Sequence, residues 1–114
     1  MATINAIETP LELFIGTDHR FVCTETADTD MTGWALSFMI KRKLSDLDAA
    51  AVVTLTTPSN ITISTSVATV TVADTNTDAL SAGVYRWELK RTDAGAETVV
   101  GYGPLALLRS VHRT

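Results

Sequence analysis

The sequence of 114 residues is poor in the residue types that stabilise or anchor many small proteins. It has one cysteine, three prolines and few aromatic side chains, which make up 6% of the chain. One cysteine excludes an intrachain disulfide. The apolar runs are far shorter than the roughly 20 residues of a membrane-spanning helix, and no basic-then-apolar secretion signal opens the sequence. We therefore expect a fold held together by packing, without a membrane partner.

Positive charge is also scarce. Nine Lys and Arg side chains face 13 Asp and Glu side chains, which gives a net charge of −4. A protein that binds nucleic acid through phosphates typically has the opposite balance. We therefore expect no nucleic-acid partner.

Threonine is the abundant residue, with 19 copies. Its β-branched side chain favours strands over helices. A chain of this length forms one domain, which we place at residues 11–109, between an N-terminal arm at 1–10 and a C-terminal tail at 110–114. Composition thus indicates a small all-β protein.

Two segments alternate apolar and polar residues with the period of a half-buried strand. The clearer one covers 34–41, and its inward positions are Trp34, Leu36, Phe38 and Ile40. The other follows Gly83, and its inward positions are Tyr85, Trp87 and Leu89. These side chains are the predicted core, since no disulfide is available.

Short strands recur about every eight to twelve residues, with turn residues between them. This spacing predicts an immunoglobulin-like antiparallel β-sandwich of seven to nine short strands. One helical turn is predicted near 78–82, with Thr77 as its N-cap and Gly83 as its exit.

Tyr85 precedes Trp87 by two residues, which resembles the tyrosine corner of immunoglobulin-like sandwiches. In that interpretation the Tyr85 ring packs inside while its hydroxyl bonds the preceding loop, and Trp87 takes the place of the second cysteine. The alternative is an ordinary buried tyrosine.

No set of residues predicts catalysis or a cofactor. His19 and Cys23 lie four positions apart on a predicted strand, about 13 Å at roughly 3.3 Å per residue, which is too far for a nucleophile and its base. Asp28 and Asp30 begin a calcium-loop pattern, but its twelfth position is Met39 where a glutamate is needed. An acidic turn is the preferred interpretation, and a looser calcium site using Asp28 and Asp30 stays open.

The chain has six short motifs, in the order Gly16-Thr17-Asp18, Asp30-Met31-Thr32-Gly33-Trp34, Thr77-Asp78-Ala79-Leu80, Gly83-Val84-Tyr85-Arg86-Trp87, Gly103-Pro104-Leu105 and Val111-His112-Arg113. Together they resemble the motifs of a family of small tailed-phage virion domains similar to the N-terminal domain of the phage baseplate upper protein. The second motif is similar to the family's Asp-Leu-Thr-Gly, and the fourth to its Gly-x-Tyr-x-Tyr/Trp. The residues Gly33, Trp34, Gly83, Tyr85 and Trp87 are expected to specify the fold.

The resemblance implies a non-enzymatic structural component of a virion, made in the host cytoplasm. Its partners would be copies of itself and tail, baseplate or connector proteins. A decoration protein bound to the major capsid protein of the head is an alternative. From another class, a carbohydrate- or host-surface-binding module also stays open, with Phe14 and Tyr102 as its exposed aromatics.

Contacts with partners are expected through exposed sheet edges and through apolar residues near the two ends of the chain. These residues are Ile4, Ile7, Leu108, Val111 and His112.

Overall fold

A computed structural model describes residues 7–24, 30–43 and 45–109 of the chain. These residues form nine strands: β1 (Ile7–Glu8), β2 (Leu11–Phe14), β3 (His19–Thr24), β4 (Leu36–Lys41), β5 (Val53–Thr56), β6 (Ile61–Ser64), β7 (Val67–Val72), β8 (Gly83–Arg91) and β9 (Thr98–Leu108). A 3-10 turn at Asp48–Ala50 and one helical turn, α1 (Asp74–Thr77), complete the regular elements of this part of the chain.

The strands form two sheets. The large sheet has the order β1–β9–β8–β4–β5, with β2 also paired to β9, and the small sheet has the order β3–β7–β6. The inward side chains of both sheets form one buried cluster. This confirms the predicted all-β, immunoglobulin-like sandwich, with the exception that β1 and β2 run parallel to β9.

β1 and β2 pair with β9 in the same register, as the two halves of one interrupted strand would. Ile7 pairs with Gly101 and Leu11 pairs with Leu105, so the offset is the same on both sides of the break. At the break, Thr9 N–H donates to the Tyr102 carbonyl at 2.9 Å. Residues 7–10 of the predicted N-terminal arm therefore lie along β9.

This segment crosses β9 at very close range. A Cβ on Gly103 would lie 2.3 Å from the carbonyl oxygen of Thr9. The Trp87 indole N–H donates to the same oxygen at 2.9 Å. A glycine is therefore required at this crossing, and β9 runs through it as one continuous strand.

The predicted inward faces are confirmed in the strands themselves. Leu36, Phe38 and Ile40 of β4 are buried. So are Tyr85, Trp87 and Leu89 of β8, which pair with β4 in antiparallel register.

The helical turn lies four residues earlier than predicted. It covers Asp74–Thr77, and Thr77 is its last residue, where the sequence had suggested an N-cap. Thr77 is buried, and its hydroxyl accepts the Gly16 N–H at 2.9 Å, a contact between distant parts of the chain. Gly83 begins β8, so its predicted role as the exit of the helical turn is wrong.

Candidate functional site

The Asp30–Trp34 motif is a turn stabilised from within. The Thr32 N–H donates to the Asp30 carboxylate at 2.9 Å. Hydrogen bonds from the Thr32 hydroxyl and then from its N–H hold the pKa of Asp30 below its usual value. Gly33 has φ +85°, a left-handed conformation that glycine adopts without strain.

Met31 fastens this turn to the core. Its side chain is completely buried, although it lies in a loop. Its N–H donates to the Thr65 carbonyl at 2.7 Å, and its carbonyl accepts the Trp34 N–H at 2.9 Å. The apolar position of the motif is thus a core residue, which the sequence interpretation had missed because no periodicity marks a single residue in a loop.

Trp34 does not lie on the inward face of β4, where the alternating pattern had predicted it. β4 begins at Leu36, and Trp34 is half-buried before it. The Arg91 guanidinium lies 4.2 Å from the Trp34 ring centroid, a cation–π distance. Trp34 therefore joins the turn to the end of β8, at the margin of the sandwich and outside its buried centre.

Arg91 also belongs to a polar cluster at this end. Its Nε lies 2.8 Å from the Asp93 carboxylate, which also accepts the Ala35 N–H at 2.9 Å. The bond from Arg91, then that from Ala35, lowers the pKa of Asp93. Arg91 and Asp93 thus fasten the β8–β9 hairpin to the strand that follows Trp34.

The lowered pKa of Asp93 predicts an acid-sensitive contribution to stability. Because the folded pKa lies below the unfolded value of about 3.9, this contribution is present above pH ~4 and is lost as pH falls through the folded pKa. We expect Asp93→Asn to lower the melting temperature at pH 7. The difference from the unmodified chain should shrink below pH ~4. Thermal unfolding followed by circular dichroism across pH checks this, and a difference that stays constant with pH would contradict it.

The tyrosine corner is present. Tyr85 is 4% exposed, and its hydroxyl donates to the Ser81 carbonyl at 2.7 Å. Arg42 covers the ring at 5.6 Å from its centroid. The hydrogen bond from Tyr85 spans the loop before β8, which confirms the predicted bond to the preceding loop.

Removing the Tyr85 hydroxyl tests how much the corner hydrogen bond stabilises the fold. Tyr85→Phe keeps the ring and loses the bond to Ser81, so we expect a loss of about 1 kcal/mol in the free energy of unfolding. Tyr102→Phe is the matched control, since Tyr102 is exposed on β9, and we expect a change within about 0.5 kcal/mol. Urea unfolding measures both, and equal losses would show that the corner bond adds no stability.

His19 and Cys23 share the inward side of β3, and both are half-buried. His19 Nε2 lies 2.8 Å from the Thr17 hydroxyl and accepts the Phe14 N–H at 3.2 Å. These contacts hold the imidazole against the turn between β2 and β3.

The described residues contain no cluster of three or more His, Cys, Asp or Glu side chains that could hold a metal ion. Asp30 uses its carboxylate within its own turn, and Asp28 lies outside the described residues. Within the described ranges, no helix is long and apolar enough to cross a membrane.

Of the predicted contact residues, Ile4, Val111 and His112 lie outside the described residues. The backbone of Ile7 lies in β1. Leu108 ends β9, half-buried and opposite Phe14, and its carbonyl accepts the Ile15 N–H at 2.8 Å. Ile7 and Leu108 thus lie at opposite ends of the region in which β1 and β2 pair with β9.

The outer face of the large sheet carries a cleft of about 230 Å³. Ser37, Met39, Glu88 and Lys90 contribute to its lining. The Ser37 hydroxyl is buried and has no hydrogen-bond partner among the described residues. Tyr102 lies directly across from Glu88 and is 39% exposed, so an aromatic side chain adjoins the cleft.

No protein-family model matches this chain, and no curated protein matches it either.

Proposed function

We propose that the chain is a structural subunit of a tailed-phage virion that docks on tail-tip, baseplate or connector proteins. The observation that supports this most strongly is the structural role of the motif residues. The Asp30–Trp34 motif builds a turn around a buried Met31, and Tyr85 forms a corner within the Gly83–Trp87 motif. The phage hypothesis rests on a resemblance between motifs, and these motifs have the fold-specifying role that it requires.

The proposed role is assembly and includes no catalytic step. Docking requires surface that other proteins can cover, and large apolar side chains are exposed on this sandwich. Phe14, Val84 and Tyr102 are 43%, 74% and 39% exposed. Exposed apolar groups that lie together mark protein contact surfaces.

The test is the presence of the chain in purified particles. The expected result is co-purification with phage at a fixed ratio to other virion proteins, measured by quantitative mass spectrometry. An unrelated acidic β-sandwich expressed in the same host is the control for carry-over. A chain that stays with the soluble fraction, in the same proportion as that control, overturns the proposal.

Copy number separates the two locations in the particle. About three to twelve copies indicate the tail or baseplate, where rings of low symmetry are built. Hundreds of copies indicate the head and support the decoration-protein alternative.

A binding module for saccharides is the second candidate, and the cleft beside Tyr102 favours it. Aromatic rings and polar side chains commonly combine in small-molecule sites. We expect Tyr102→Ala to abolish any glycan-array signal, whereas Phe14→Ala, which alters an aromatic away from the cleft, should retain it. The absence of a signal from the unmodified chain rules this candidate out.

A further inference from the structure

The cleft on the outer face of the large sheet lies between β4 and β8. Three cross-strand pairs line it, in the order Ser37 with Lys90, Met39 with Glu88 and Lys41 with Arg86. Asp48 lies beside Lys41 at one end of the cleft, and Glu97, from the β8–β9 hairpin, lies near the Lys90 end. The lining is therefore almost entirely polar, with Met39 as its apolar part.

The size of the cleft suits a small ligand. Its volume of about 230 Å³ is below the roughly 300–1,000 Å³ of typical small-molecule sites. A single sugar ring, an amino acid or an inorganic ion fits this scale, whereas a folded partner does not.

One polar group of the cleft is buried without a hydrogen bond. Ser37 points to the outer side of β4, because Leu36 and Phe38 on either side of it are core residues. Ser37 is 9% exposed, and its hydroxyl has no hydrogen-bond partner within the described ranges. Burial of a hydroxyl without a hydrogen bond lowers stability, so such a group calls for a functional explanation. A ligand oxygen in the cleft supplies the missing bond.

The side chains beside this hydroxyl can move. Ser37 lies opposite Thr56 of β5 in one ladder and opposite Lys90 of β8 in the other. Thr56 is exposed, and Lys90 is a long, half-buried side chain that takes part in neither ion pair of the described residues. A change of the Lys90 rotamer therefore gives a ligand access to Ser37 without any change in the backbone.

The charges of the cleft favour a neutral ligand. Cations and carboxylates are equal in number, namely Lys41, Arg86 and Lys90 against Asp48, Glu88 and Glu97. Lys41 lies 2.7 Å from Asp48, and Glu88 stands between Arg86 and Lys90 on the same side of β8. An anion that approaches either free cation therefore also meets Glu88. Hydroxyl groups, in contrast, accept from cations and donate to carboxylates at the same time.

We propose that this cleft binds one ring of a neutral saccharide and that a hydroxyl of the ring is hydrogen-bonded to Ser37. Tyr102, directly across from Glu88, adds an aromatic side chain at the margin of the site. The inference rests on the second candidate function and deepens it, since it assigns the ligand contact to Ser37 and to the charged pairs of β4 and β8.

The first test is a titration of the unmodified chain with glucose, galactose, mannose and N-acetylglucosamine, followed by the backbone amide signals in NMR spectra. At least one sugar should shift the signals of Ser37, Glu88 and Lys90, with a dissociation constant on the order of 1 mM, as expected for so small a ligand. Acetate and inorganic phosphate are the charged probes and should bind more weakly than that sugar. Glu88→Gln should strengthen acetate binding, because Arg86 and Lys90 then lack the carboxylate between them.

The second test is Ser37→Ala, which distinguishes a ligand contact from a packing role. It should raise the dissociation constant of the sugar about tenfold, the effect of one lost hydrogen bond. Its melting temperature should equal or exceed that of the unmodified chain, because an unsatisfied buried hydroxyl is removed. Thr62→Ala is the matched control, since Thr62 is exposed on the small sheet, and it should leave sugar affinity unchanged.

Three results overturn the inference: no shift with any of the sugars, an unchanged dissociation constant in Ser37→Ala, or tighter binding of acetate or phosphate than of every sugar. Sugar binding that survives Ser37→Ala keeps the saccharide module and removes the inferred contact. The presence of the chain in phage particles is decided separately, because none of these measurements depends on it.

Discussion

Phe38→Ala is expected to lower the free energy of unfolding by about 3–5 kcal/mol. Phe38 is 1% exposed and lies between two other rings. Its centroid is 6.3 Å from that of Phe21 and 5.7 Å from that of Trp87. Phe21 belongs to the small sheet, whereas Phe38 and Trp87 belong to the large one, so these ring contacts join the two layers.

The size of the effect follows from what the substitution leaves behind. Alanine in place of Phe38 removes both ring contacts and creates a cavity between sheets that two other aromatic side chains still hold apart. Domains of this size typically have only 5–15 kcal/mol of stability, so the variant is expected to be close to unfolding. Urea unfolding followed by tryptophan fluorescence measures the loss.

Phe14→Ala is the matched control for this prediction. It makes the same substitution at a ring that is 43% exposed, so we expect a much smaller loss, of about 1 kcal/mol. Similar losses for Phe38→Ala and Phe14→Ala would show that the stack does not hold the sheets together.

Met31→Ala is expected to cost about 2–5 kcal/mol, an unusual effect for a loop position. The Met31 side chain is completely buried, and backbone hydrogen bonds to Thr65 and from Trp34 prevent the loop from collapsing into the space it leaves. Met31→Leu keeps the volume and should cost less than about 1.5 kcal/mol. Leucine also stands at this position in the Asp-Leu-Thr-Gly motif that the Asp30–Gly33 segment resembles.

The control for Met31 is Met39→Ala, since Met39 is only half-buried on the outer face of β4. Thermal unfolding of the three variants gives the comparison. If Met31→Ala is no more destabilised than Met39→Ala, the Asp30–Trp34 turn is not anchored through its apolar residue.

The sequence predicted well where a local pattern carries the information. Alternation alone identified the inward faces of β4 and β8, because side chains in a strand point to opposite sides in turn. The Tyr85 corner was also predictable, since its bond to Ser81 is only four residues away along the chain.

The sequence did not predict features that depend on contacts between segments far apart along the chain. Thr77 was assigned as an N-cap because threonine is common there, but its hydroxyl is used by Gly16, which is 61 residues away. The pairing of Ile7–Glu8 with β9 is likewise non-local, and no local pattern marks it. Trp34 was counted in the core because alternation extends to it, whereas the strand begins two residues later.

The outer face of the large sheet also combines features that a local pattern predicts with features that depend on strand pairing. Phe14 and Tyr102 were identified as exposed aromatics because Trp34, Tyr85 and Trp87 fall on predicted core faces. That they share one face with Val84, and that Glu8 and Glu12 border it, depends on how β9 pairs with its neighbours. A candidate surface of this kind therefore emerges only once the strand order is known.

The parallel pairing of β1 and β2 with β9 determines how the sandwich responds to mechanical load. The chain enters this pair of strands at Ile7 and leaves it at Leu108, at the opposite end. A force that pulls these two points apart acts along the strands and shears their hydrogen bonds together, whereas antiparallel neighbours pulled from one end separate bond by bond. The Trp87 bond to Thr9 lies within this sheared region and resists the same displacement. The strand pair that closes the large sheet is thus also the part of the fold that bears tension between its two ends.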